Sequence, residues 1–393
     1  MNFILILFII IHKFINQKWL NIVQKIKKLI KKPGIFLRDY LNKKYPIKNI
    51  EQPYSELEEH ILIEADEKLN HISARNSVIP FDIDVVFTWV DGSDLNWIGK
   101  FNKFSPEYKE RSALYATDSA RFENHNELFY SVNSVLKNIP WVRHIFIVTD
   151  EQRPEWLNEC YKHKVSVINH VDIIDKKYLP TFNSHVIESF LYKIPDLSEN
   201  FIYFNDDVFV ARPLEPEHFF QHNGIASIFL TDKSLLRMKD KGIITPTLSA
   251  SEKCIKLLFR DYNTKIDSPL VHTYIPLKKS IYELAWSRYK HEIEEFLPNR
   301  FRNNNDINFA NFLIPWLMYL EGKAIPKRDI CYYFNIRSPH AITQYRKLLQ
   351  KKKNGISPHS FCANDFNSKR SISGYHQKLI NMLHLYYKDN DNV

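Results

Sequence analysis

The strongest constraint on the fold is a series of four short apolar runs that begins at residue 82. The runs are DIDVVFTWV (82–90), RHIFIVTD (143–150), KVSVINH (164–170) and FIYF (201–204). β-Branched and aromatic residues dominate them, which predicts strands, and NELFYSVNSVLKN (126–138) has the apolar spacing of a helix. Strands that alternate with helices predict an α/β fold with a mostly parallel sheet and helices on both faces.

Polar side chains stand where each of these predicted strands ends. They are Asp91, Asp150, His170 and the pair Asp206 and Asp207. In open α/β sheets, ligands bind outside the carboxyl ends of the strands. One polar residue at such a position is usually a turn former, but four consecutive strand ends indicate a site.

The adjacent pair Asp206 and Asp207 interrupts an otherwise hydrophobic stretch. Two carboxylates without a basic neighbour suit a hard cation such as Mg²⁺ that bridges substrate phosphates. Because successive residues of a strand point to opposite faces, we expect only one carboxylate to reach the reacting centre. The alternative is an ordinary turn between two hairpin strands.

Composition excludes several other classes of protein. The chain has eight glycines and contains neither GxGxxG nor a P-loop, so a metal or arginine would have to neutralise any bound phosphate. Its four cysteines form no CxxC pair, which disfavours a disulfide framework and a zinc knuckle and favours a reducing compartment. The net charge of +9 is concentrated in residues 1–50, which hold a local charge of +10, so the remainder does not indicate nucleic-acid binding.

The N-terminal segment indicates peripheral membrane association. MNFILILFIII is too short to span a bilayer and lacks the flanks of a secretory signal. A basic amphipathic stretch from Trp19 to Ile30 follows, as in helices that lie on an anionic membrane surface. The alternative is a surface helix that packs on the domain. We therefore expect a cytoplasmic protein on the inner face of the cytoplasmic membrane.

The predicted domain organisation has four parts. They are a membrane-associating segment (1–50), a linker or peripheral helix (51–80), a catalytic domain (81–366) and a C-terminal helical tail (367–393).

A helix is predicted over 184–193, and Asn183 or Ser184 can cap it. His185 and Glu188 are three residues apart on this helix, next to the ligand edge of the sheet. Such a pair is ordinary in a helix, but beside the aspartates it becomes a candidate acid or base set.

The later part of the chain is predicted to be more helical. Residues 271–284 carry His272, and Arg300 and Arg302 precede an apolar helix within 299–322. Arginines before a helix suit phosphate binding, although solvated surface arginines are the commoner case.

Several blocks together resemble the Stealth proteins. They are DVVFTWVDG, RFENHNELFYSV, NIPWVRHIFIVTDEQRPEWL, NSHVIESFLYKIPDLSENFIYFNDDVF, VHTYIP, RFRNNND and FCANDF, in this order from about 82 to 366. Stealth proteins are bacterial capsule-polysaccharide phosphotransferases, similar to the eukaryotic enzyme that transfers N-acetylglucosamine 1-phosphate onto lysosomal glycans. The resemblance implies a Rossmann-like, glycosyltransferase-A-like sheet. It also implies transfer of a sugar 1-phosphate from a nucleotide sugar to a hydroxyl of an oligo- or polysaccharide acceptor.

The resemblance also assigns roles to residues of this chain. It implies that the catalytic residues are Glu188, Asp207, His272 and Arg302. Mg²⁺ or another divalent cation is expected at Asp206 and Asp207. The expected substrate-binding residues are Asp84, Trp89, Asp91, Gly92, Arg121, Asn183, His185, Asn205 and Arg300. Three positions depart from the family pattern, namely Asn133 for arginine, Asp196 for glycine and Asn299 for histidine.

The expected reaction is in-line attack by an acceptor hydroxyl on the sugar-linked phosphorus of a UDP-sugar. Arg302 and the cation would hold the diphosphate, Glu188 would orient the sugar or the base, and either His272 or Asp207 would take the proton. One rival is a metal-dependent glycosyltransferase that attacks the anomeric carbon and releases UDP. The other is a membrane-bound scaffold that binds polysaccharide through its aromatic residues.

Overall fold

The computed structural model describes residues 54–76, 79–108, 122–242, 245–365 and 371–388, together with 29–31, 33–34 and 36–37. Arg121 and most of the segment 1–50 lie outside the described residues, so the predictions for both are not tested. Among the described residues, no helix combines the length and the apolar character needed to cross a membrane. The larger compact unit comprises Glu51–Leu235 and Ile244–Val393. It carries the candidate site.

The strands have the following bounds in chain order. They are β1 (Ile83–Thr88), β2 (Ile145–Thr149), β3 (Val165–Asn169), β4 (Asn200–Asn205), β5 (Val208–Val210), β6 (Ala226–Phe229), β7 (Ile275–Lys278), β8 (Ala324–Lys327), β9 (Cys331–Asn335) and β10 (Ser360–Asn364). The α-helices are α1 (Glu56–Asn76), α2 (Leu95–Tyr108), α3 (Glu127–Asn138), α4 (His170–Ile173), α5 (Ser184–Glu188), α6 (Leu235–Asp240), α7 (Pro246–Tyr262), α8 (Lys279–Arg288), α9 (Lys290–Phe296), α10 (Ile314–Leu320), α11 (Ala341–Lys353) and α12 (Tyr375–Tyr387). A π-helical turn, Phe309–Leu313, leads into α10.

The central sheet has the strand order β3-β2-β1-β4-β7. Strands β1 to β4 are parallel, and β7 pairs with β4 in the antiparallel direction. The prediction of a mostly parallel α/β sheet is confirmed, as are its four predicted strands to within two residues at each end. The strands are continuous apolar runs because both faces of a parallel sheet are buried, and the side chains from Val85 to Phe87 are fully buried.

The strand order reverses between β1 and β4. The chain passes from β1 through β2 to β3 on one side, then returns to place β4 on the other side of β1. Parallel connections are right-handed, so the two sets of connecting helices lie on opposite faces. A crevice opens at such a reversal, outside the carboxyl ends of the strands, and it is where open α/β sheets bind ligands.

A second sheet supports the turn that follows β4. Its order is β5-β10-β9, with β5 antiparallel to β10 and β10 parallel to β9. The turn at Asp206 and Asp207 therefore joins two different sheets and is not the tip of a hairpin. The backbone N–H of Ala363 on β10 donates to the carbonyl oxygen of Asp207 at 2.9 Å, which fixes the turn.

The C-terminal helix α12 belongs to the core under this second sheet. Its buried side chains Leu379, Met382, Leu383 and Tyr386 pack in one cluster with Phe361 of β10. The region 367–393 was expected to be a helical tail after the catalytic domain. Its helix shares a core with the sheet that holds Asp207.

Helix α1 lies within the region 51–80, for which a linker or a peripheral helix was expected. Glu59 forms an ion pair of 2.8 Å with Lys351, and its carboxylate accepts a hydrogen bond from the hydroxyl of Tyr332. Asp66 lies 3.5 Å from Arg328. These contacts attach α1 to the remainder of the unit.

The helix predicted over 184–193 is wrong in part. Only Ser184–Glu188 of the segment 184–193 is α-helical, and a separate turn of 3₁₀ helix covers Leu191–Lys193. The hydroxyl of Ser189 donates to the carbonyl oxygen of Val186 at 2.7 Å, a local bond that competes with continuation of the helix. The segment 271–284 begins with strand β7 before helix α8 starts.

Candidate active site

Three carboxylates meet at the carboxyl end of β4. Asp206 and Asp207 are half-buried, and Glu127, the first residue of α3, is buried. Burial and the neighbouring charge of Asp207 raise the pKa of Asp206 to about 7. Burial and the charge of Asp206 raise the pKa of Glu127 well above its usual value. Such mutual repulsion indicates a place for a cation, because a bound cation relieves it.

Glu127 was missed by the sequence analysis. An acidic residue in the first turn of a helix is ordinarily explained by the helix dipole, and Glu127 offered no other signal. Its proximity to the aspartates depends on the packing of α3 against β5, which brings residues about 80 positions apart into contact.

Asp207 and His272 each present an unsatisfied atom. Among the described residues, Asp207 Oδ1 and His272 Nε2 are buried and have no hydrogen-bond partner. The other carboxylate oxygen of Asp207 accepts from Asn364 Nδ2 at 3.1 Å, and the ring of His272 packs edge-on against Tyr333. These two predicted catalytic residues therefore lie together, with ligating atoms within 4.8 Å of each other and of the Cys362 thiol.

The ends of β1 and β4 are joined through Tyr203. Its hydroxyl lies 2.9 Å from the Thr88 hydroxyl and 3.1 Å from Asn205 Oδ1. Thr88 and Asn205 are register partners at the point of strand reversal. The predicted substrate-binding residue Asn205 thus stands in the crevice next to Asp206.

Arg302 and Glu188 approach the same crevice from the other side. The Arg302 guanidinium donates to the hydroxyls of Ser184 (Nε, 3.2 Å) and Thr247 (Nη1, 3.2 Å), and it forms no ion pair among the described residues. Burial lowers the pKa of Arg302, while the charges of Glu188 and Tyr203 act in the opposite direction. Its positive charge is therefore held by neutral hydroxyls, which leaves it available to an anion.

Glu188 is fully buried, and its Oε2 accepts from Asn311 Nδ2 at 3.1 Å. Burial and the charge of Glu188 raise the pKa of Tyr203 well above its usual value. The same two causes raise the pKa of Tyr282. Glu188 thus interacts electrostatically with Arg302 and with Tyr203, which links it to the end of β4.

Asp306 holds the segment that carries Arg302. Its carboxylate accepts from Asn183 Nδ2, Asn299 Nδ2 and the Asn303 backbone N–H, each at 2.8 Å, and lies 3.2 Å from His185 Nδ1. The predicted substrate-binding residues Asn183 and His185 are both fully buried. In this structure both side chains bind Asp306 and so fix the segment of Arg302.

Two other predicted substrate-binding residues lie apart from this group. Asp84 is fully buried near the start of β1, about 13 Å from the carboxyl end of that strand at 3.3 Å per residue. Its carboxylate accepts from Arg143 (2.9 and 2.6 Å) and from the Ser198 backbone N–H (2.7 Å). Arg300 stacks over the ring of Phe104 at 4.5 Å and donates to the carbonyl oxygen of Pro180.

The segment after β1 borders a cavity of about 630 Å³. Trp89 and Asp91 line it, together with Trp156, His125 and His376. The Trp89 indole N–H is buried, and no acceptor for it lies in the described parts of the chain. An aromatic wall with an unsatisfied donor fits a ligand that combines a ring with oxygen acceptors.

Gly92 and Asp91 fix the shape of this segment. A Cβ at Gly92 would lie 2.3 Å from the carbonyl oxygen of Phe122, which accepts the Gly92 N–H at 2.8 Å. Asp91 accepts from Ser93 and Asn124. Burial raises and these hydrogen bonds lower the pKa of Asp91, and the net shift is downward. Asp91 therefore stays ionised and anchors the turn.

Asp150 and His170 follow β2 and β3 at the same carboxyl edge of the central sheet. Asp150 forms an ion pair with Lys100 at 3.2 Å. Burial and the charge of Lys100 lower the pKa of His170 to about 3, so the ring is neutral. The predicted gathering of Asp91, Asp150, His170 and the Asp206–Asp207 pair at one sheet edge follows from the parallel register of β1 to β4.

Family models match two parts of the chain. The description "Stealth protein CR1, conserved region 1" applies to residues 81–109, and "Stealth protein CR2, conserved region 2" applies to 121–228. Arg121 and Asp207 fall in the second match.

Similar proteins carry related names. A capsular polysaccharide phosphotransferase of Actinobacillus suis is 68% identical over 364 residues, which cover 93% of this chain and 98% of that protein. One from Neisseria meningitidis serogroup B is 56% identical over 369 residues, with 93% and 98% covered. An exopolysaccharide phosphotransferase of Streptomyces coelicolor is 33% identical and spans 79% of this chain. A solved galactosyltransferase, in complex with donor and acceptor sugar analogues, aligns with 78% of this chain and 98% of its own at 10% identity and a TM-score of 0.38.

Proposed function

The chain belongs to the Stealth family of polysaccharide phosphotransferases, and on that premise we propose that it transfers a sugar 1-phosphate from a nucleotide sugar to a saccharide hydroxyl. The product would be a phosphodiester in a capsular or exopolysaccharide. One observation carries the proposal: three mutually repelling carboxylates lie at the carboxyl end of β4, and Arg302, which forms no ion pair among the described residues, lies near Tyr203 of the same strand. A diphosphate with its cation satisfies both groups.

A divalent cation such as Mg²⁺ fits the carboxylates. Asp206, Asp207 and Glu127 offer oxygen ligands, and the raised pKa of Asp206 reports the repulsion that a cation would relieve. When bound, the cation would neutralise charge on the phosphoryl oxygens. Arg302 would bind the same oxygens from the opposite side, because a guanidinium makes strong, directed bonds to phosphate.

Asp207 and His272 are the best candidates to deprotonate the acceptor hydroxyl. Each has an unsatisfied atom that is able to accept a proton, Oδ1 in Asp207 and Nε2 in His272, and a ligating atom of one residue lies within 4.8 Å of a ligating atom of the other. Either residue can act as the general base. Glu188 is too enclosed to meet solvent, which favours a role in orienting the bound sugar.

The cavity beside Trp89 is our candidate for the donor nucleotide. Its aromatic wall suits a base or a sugar, and the unsatisfied Trp89 N–H suits an oxygen acceptor. We propose a UDP-sugar as the donor, because it combines a base, a sugar and oxygen acceptors in one molecule.

The bond that breaks decides between this reaction and that of a glycosyltransferase. Attack on the sugar-linked phosphorus of a UDP-sugar releases UMP, whereas attack on the anomeric carbon releases UDP. Arg302 supports the first, because charge must be stabilised on the phosphoryl oxygens themselves. Purified protein with a UDP-sugar, Mg²⁺ and an oligosaccharide acceptor should release UMP, and ³¹P NMR should show a phosphodiester. Release of UDP with a phosphate-free product would establish the glycosyltransferase instead.

A further inference from the structure

Asp207, His272 and Cys362, here called the Asp207 trio, bring three different metal-ligating groups together. One ligating atom of each lies within 4.8 Å of the ligating atoms of the other two. Asp207 follows β4, His272 precedes β7, and Cys362 belongs to β10. Three separate elements therefore have to assemble to create the trio.

Two residues of the trio carry an unsatisfied polar atom. Asp207 Oδ1 and His272 Nε2 are buried and, within the part of the chain that the structure describes, have no hydrogen-bond partner. Buried polar atoms usually have one, so a carboxylate oxygen and a ring nitrogen without partners on two residues of the same trio indicate a ligand. The surroundings hold them in place, since Asn364 binds the other oxygen of Asp207 and Tyr333 packs against the His272 ring.

The donor set identifies the class of ligand. One oxygen, one nitrogen and one sulfur are typical of Zn²⁺, which binds such atoms at about 2.0–2.3 Å in tetrahedral geometry and can keep a fourth position open. Tetrahedral ligands at that range lie about 3.3–3.8 Å apart, within the 4.8 Å separation found here. Mg²⁺ takes oxygen ligands in near-octahedral geometry, so the nitrogen and sulfur disfavour it.

Charge also favours a zinc ion at this point. A carboxylate and a thiolate balance its two positive charges, while the neutral imidazole completes the set. The thiol proton leaves to solvent on binding. Asp206 and Glu127 add negative potential next to the trio, which raises the local concentration of cations.

We propose that Asp207, His272 and Cys362 form a Zn²⁺ site whose occupation inhibits the enzyme. The bound ion takes the lone pairs of both candidate general bases, so the acceptor hydroxyl can no longer be deprotonated. The inhibition rests on the proposed function, whereas the binding of zinc does not. Because Asp206 and Glu127 lie outside the trio, Zn²⁺ and the divalent cation that supports catalysis use different ligand sets apart from Asp207.

Metal binding can be measured without any substrate. Co²⁺ replaces Zn²⁺ in tetrahedral sites and gives a near-ultraviolet charge-transfer band only when a thiolate binds it. We expect the full-length protein to show this band with one equivalent of Co²⁺ and to lose it when one equivalent of Zn²⁺ is added. The band should be absent in Cys362→Ser, because the hydroxyl cannot produce it.

Cys254→Ser is the matched control. Cys254 is also buried, its thiol donates to the carbonyl oxygens of Ala250 (3.2 Å) and Asn308 (3.6 Å), and it does not belong to the trio. This variant should keep the band. A wild-type protein without the band, or a Cys362→Ser protein that retains it, would overturn the zinc site.

Inhibition is tested in the presence of excess Mg²⁺. Zn²⁺ should inhibit the wild type and Cys254→Ser equally, and Cys362→Ser should need at least about tenfold more Zn²⁺, as expected for loss of one ligand. Equal inhibition of all three proteins would overturn the proposal. Failure of the wild type to form a sugar phosphate with Mg²⁺ alone would count against the proposed function, and the cobalt spectrum would still decide the zinc site.

Discussion

At the scale of single residues, the candidate site combines a cluster of carboxylates with an arginine that forms no ion pair among the described residues. Asp206, Asp207 and Glu127 form the first group, and Arg302 forms the second. Each isolated charge has an electrostatic cost in a poorly solvated place. A substrate and cation that neutralise these charges therefore bind more tightly, because binding relieves unfavourable electrostatic interactions that are already present in the folded protein.

Asp207→Asn should lower kcat by at least about 100-fold, because it keeps the shape of the side chain and removes its charge and basicity. The Asn364 contact can persist with the amide, so the fold should be retained. Turnover is measured by UMP release, and folding is checked by circular dichroism. Near-normal turnover of a folded variant would exclude Asp207 from the chemistry.

Arg302→Lys should lower kcat by about 100-fold, because an ammonium group cannot replace the planar contacts of guanidinium with phosphoryl oxygens. Arg300→Lys provides the matched control two residues away. Arg300 stacks on Phe104 and donates to the carbonyl oxygen of Pro180, so this change should reduce kcat less than tenfold. Equal losses in the two variants would contradict the specific role of Arg302.

The stability of the metal-free protein should depend on the ionisation of Asp206. Its pKa is about 7 in the folded chain, against about 3.9 in an unfolded one. Between these values the native state holds a proton that the unfolded state lacks, so the free energy of unfolding falls as the pH rises from 4 to 7. Asp206→Asn should remove this term and, at pH 8 in EDTA, be more stable than the wild type by about 1 kcal/mol after allowance for solvent screening.

Urea denaturation at pH 4.5 and pH 8 measures this difference. The two proteins should converge at the lower pH, where the wild-type carboxyl is protonated. A wild type that exceeds the variant in stability at pH 8 would show that Asp206 is not destabilised by its surroundings.

At the scale of elements, the carboxylate of Asp84 connects three segments at the N-terminal ends of the parallel strands. Asp84 of β1 binds Arg143, which precedes β2, and Ser198, which precedes β4. Asp84→Ala should therefore lower the free energy of unfolding by about 1–2 kcal/mol, because the Ser198 N–H loses its acceptor while the partly exposed Arg143 can be solvated. The kcat of the folded fraction should stay near that of the wild type. A large loss of kcat with unchanged stability would restore the substrate-binding role predicted for Asp84.

The sequence was sufficient for the parallel part of the sheet and for its ligand edge. β-Branched and aromatic residues predict strands β1 to β4. Parallel pairing then brings Asp91, Asp150, His170 and the Asp206–Asp207 turn to one edge of the sheet. Strand β7 was not predicted from the sequence, because Pro276 lies within it. β7 ends the strand order, and proline is tolerated on such an edge strand because its missing N–H need not pair inward.

Other features depend on contacts between distant segments. The partners of Asp84 lie 59 and 114 positions away along the chain, and no local pattern reveals them. Asp196, which departs from the glycine usual in the family, adopts a φ of +60°, a conformation that glycine reaches most easily and aspartate tolerates. Asn299, a second departure, binds Asp306. These two substitutions thus occupy structural positions.

At the scale of the whole molecule, residues 1–50 carry a local charge of +10, and the remainder is close to neutral. Deleting these fifty residues should release the protein from membranes and leave its activity in solution largely intact. Each basic residue near an anionic surface contributes about 1 kcal/mol, so high salt should also weaken the attachment of the full-length chain. Membrane flotation at low and high salt measures both effects. A full-length protein found entirely in the soluble fraction at low salt would contradict the anchor.

Helix α12 follows every candidate catalytic residue along the sequence. Its side chains from Leu379 to Tyr386 close the core under the sheet that holds Asp207. While these residues remain inside the exit tunnel, β5 and β10 lack part of their support, although domains otherwise begin to fold from the N-terminus during synthesis. We therefore expect the nascent chain to stay inactive until helix α12 has left the tunnel. A stop codon between residues 365 and 375 should then abolish activity, even though every candidate catalytic residue and strand β10 have been translated.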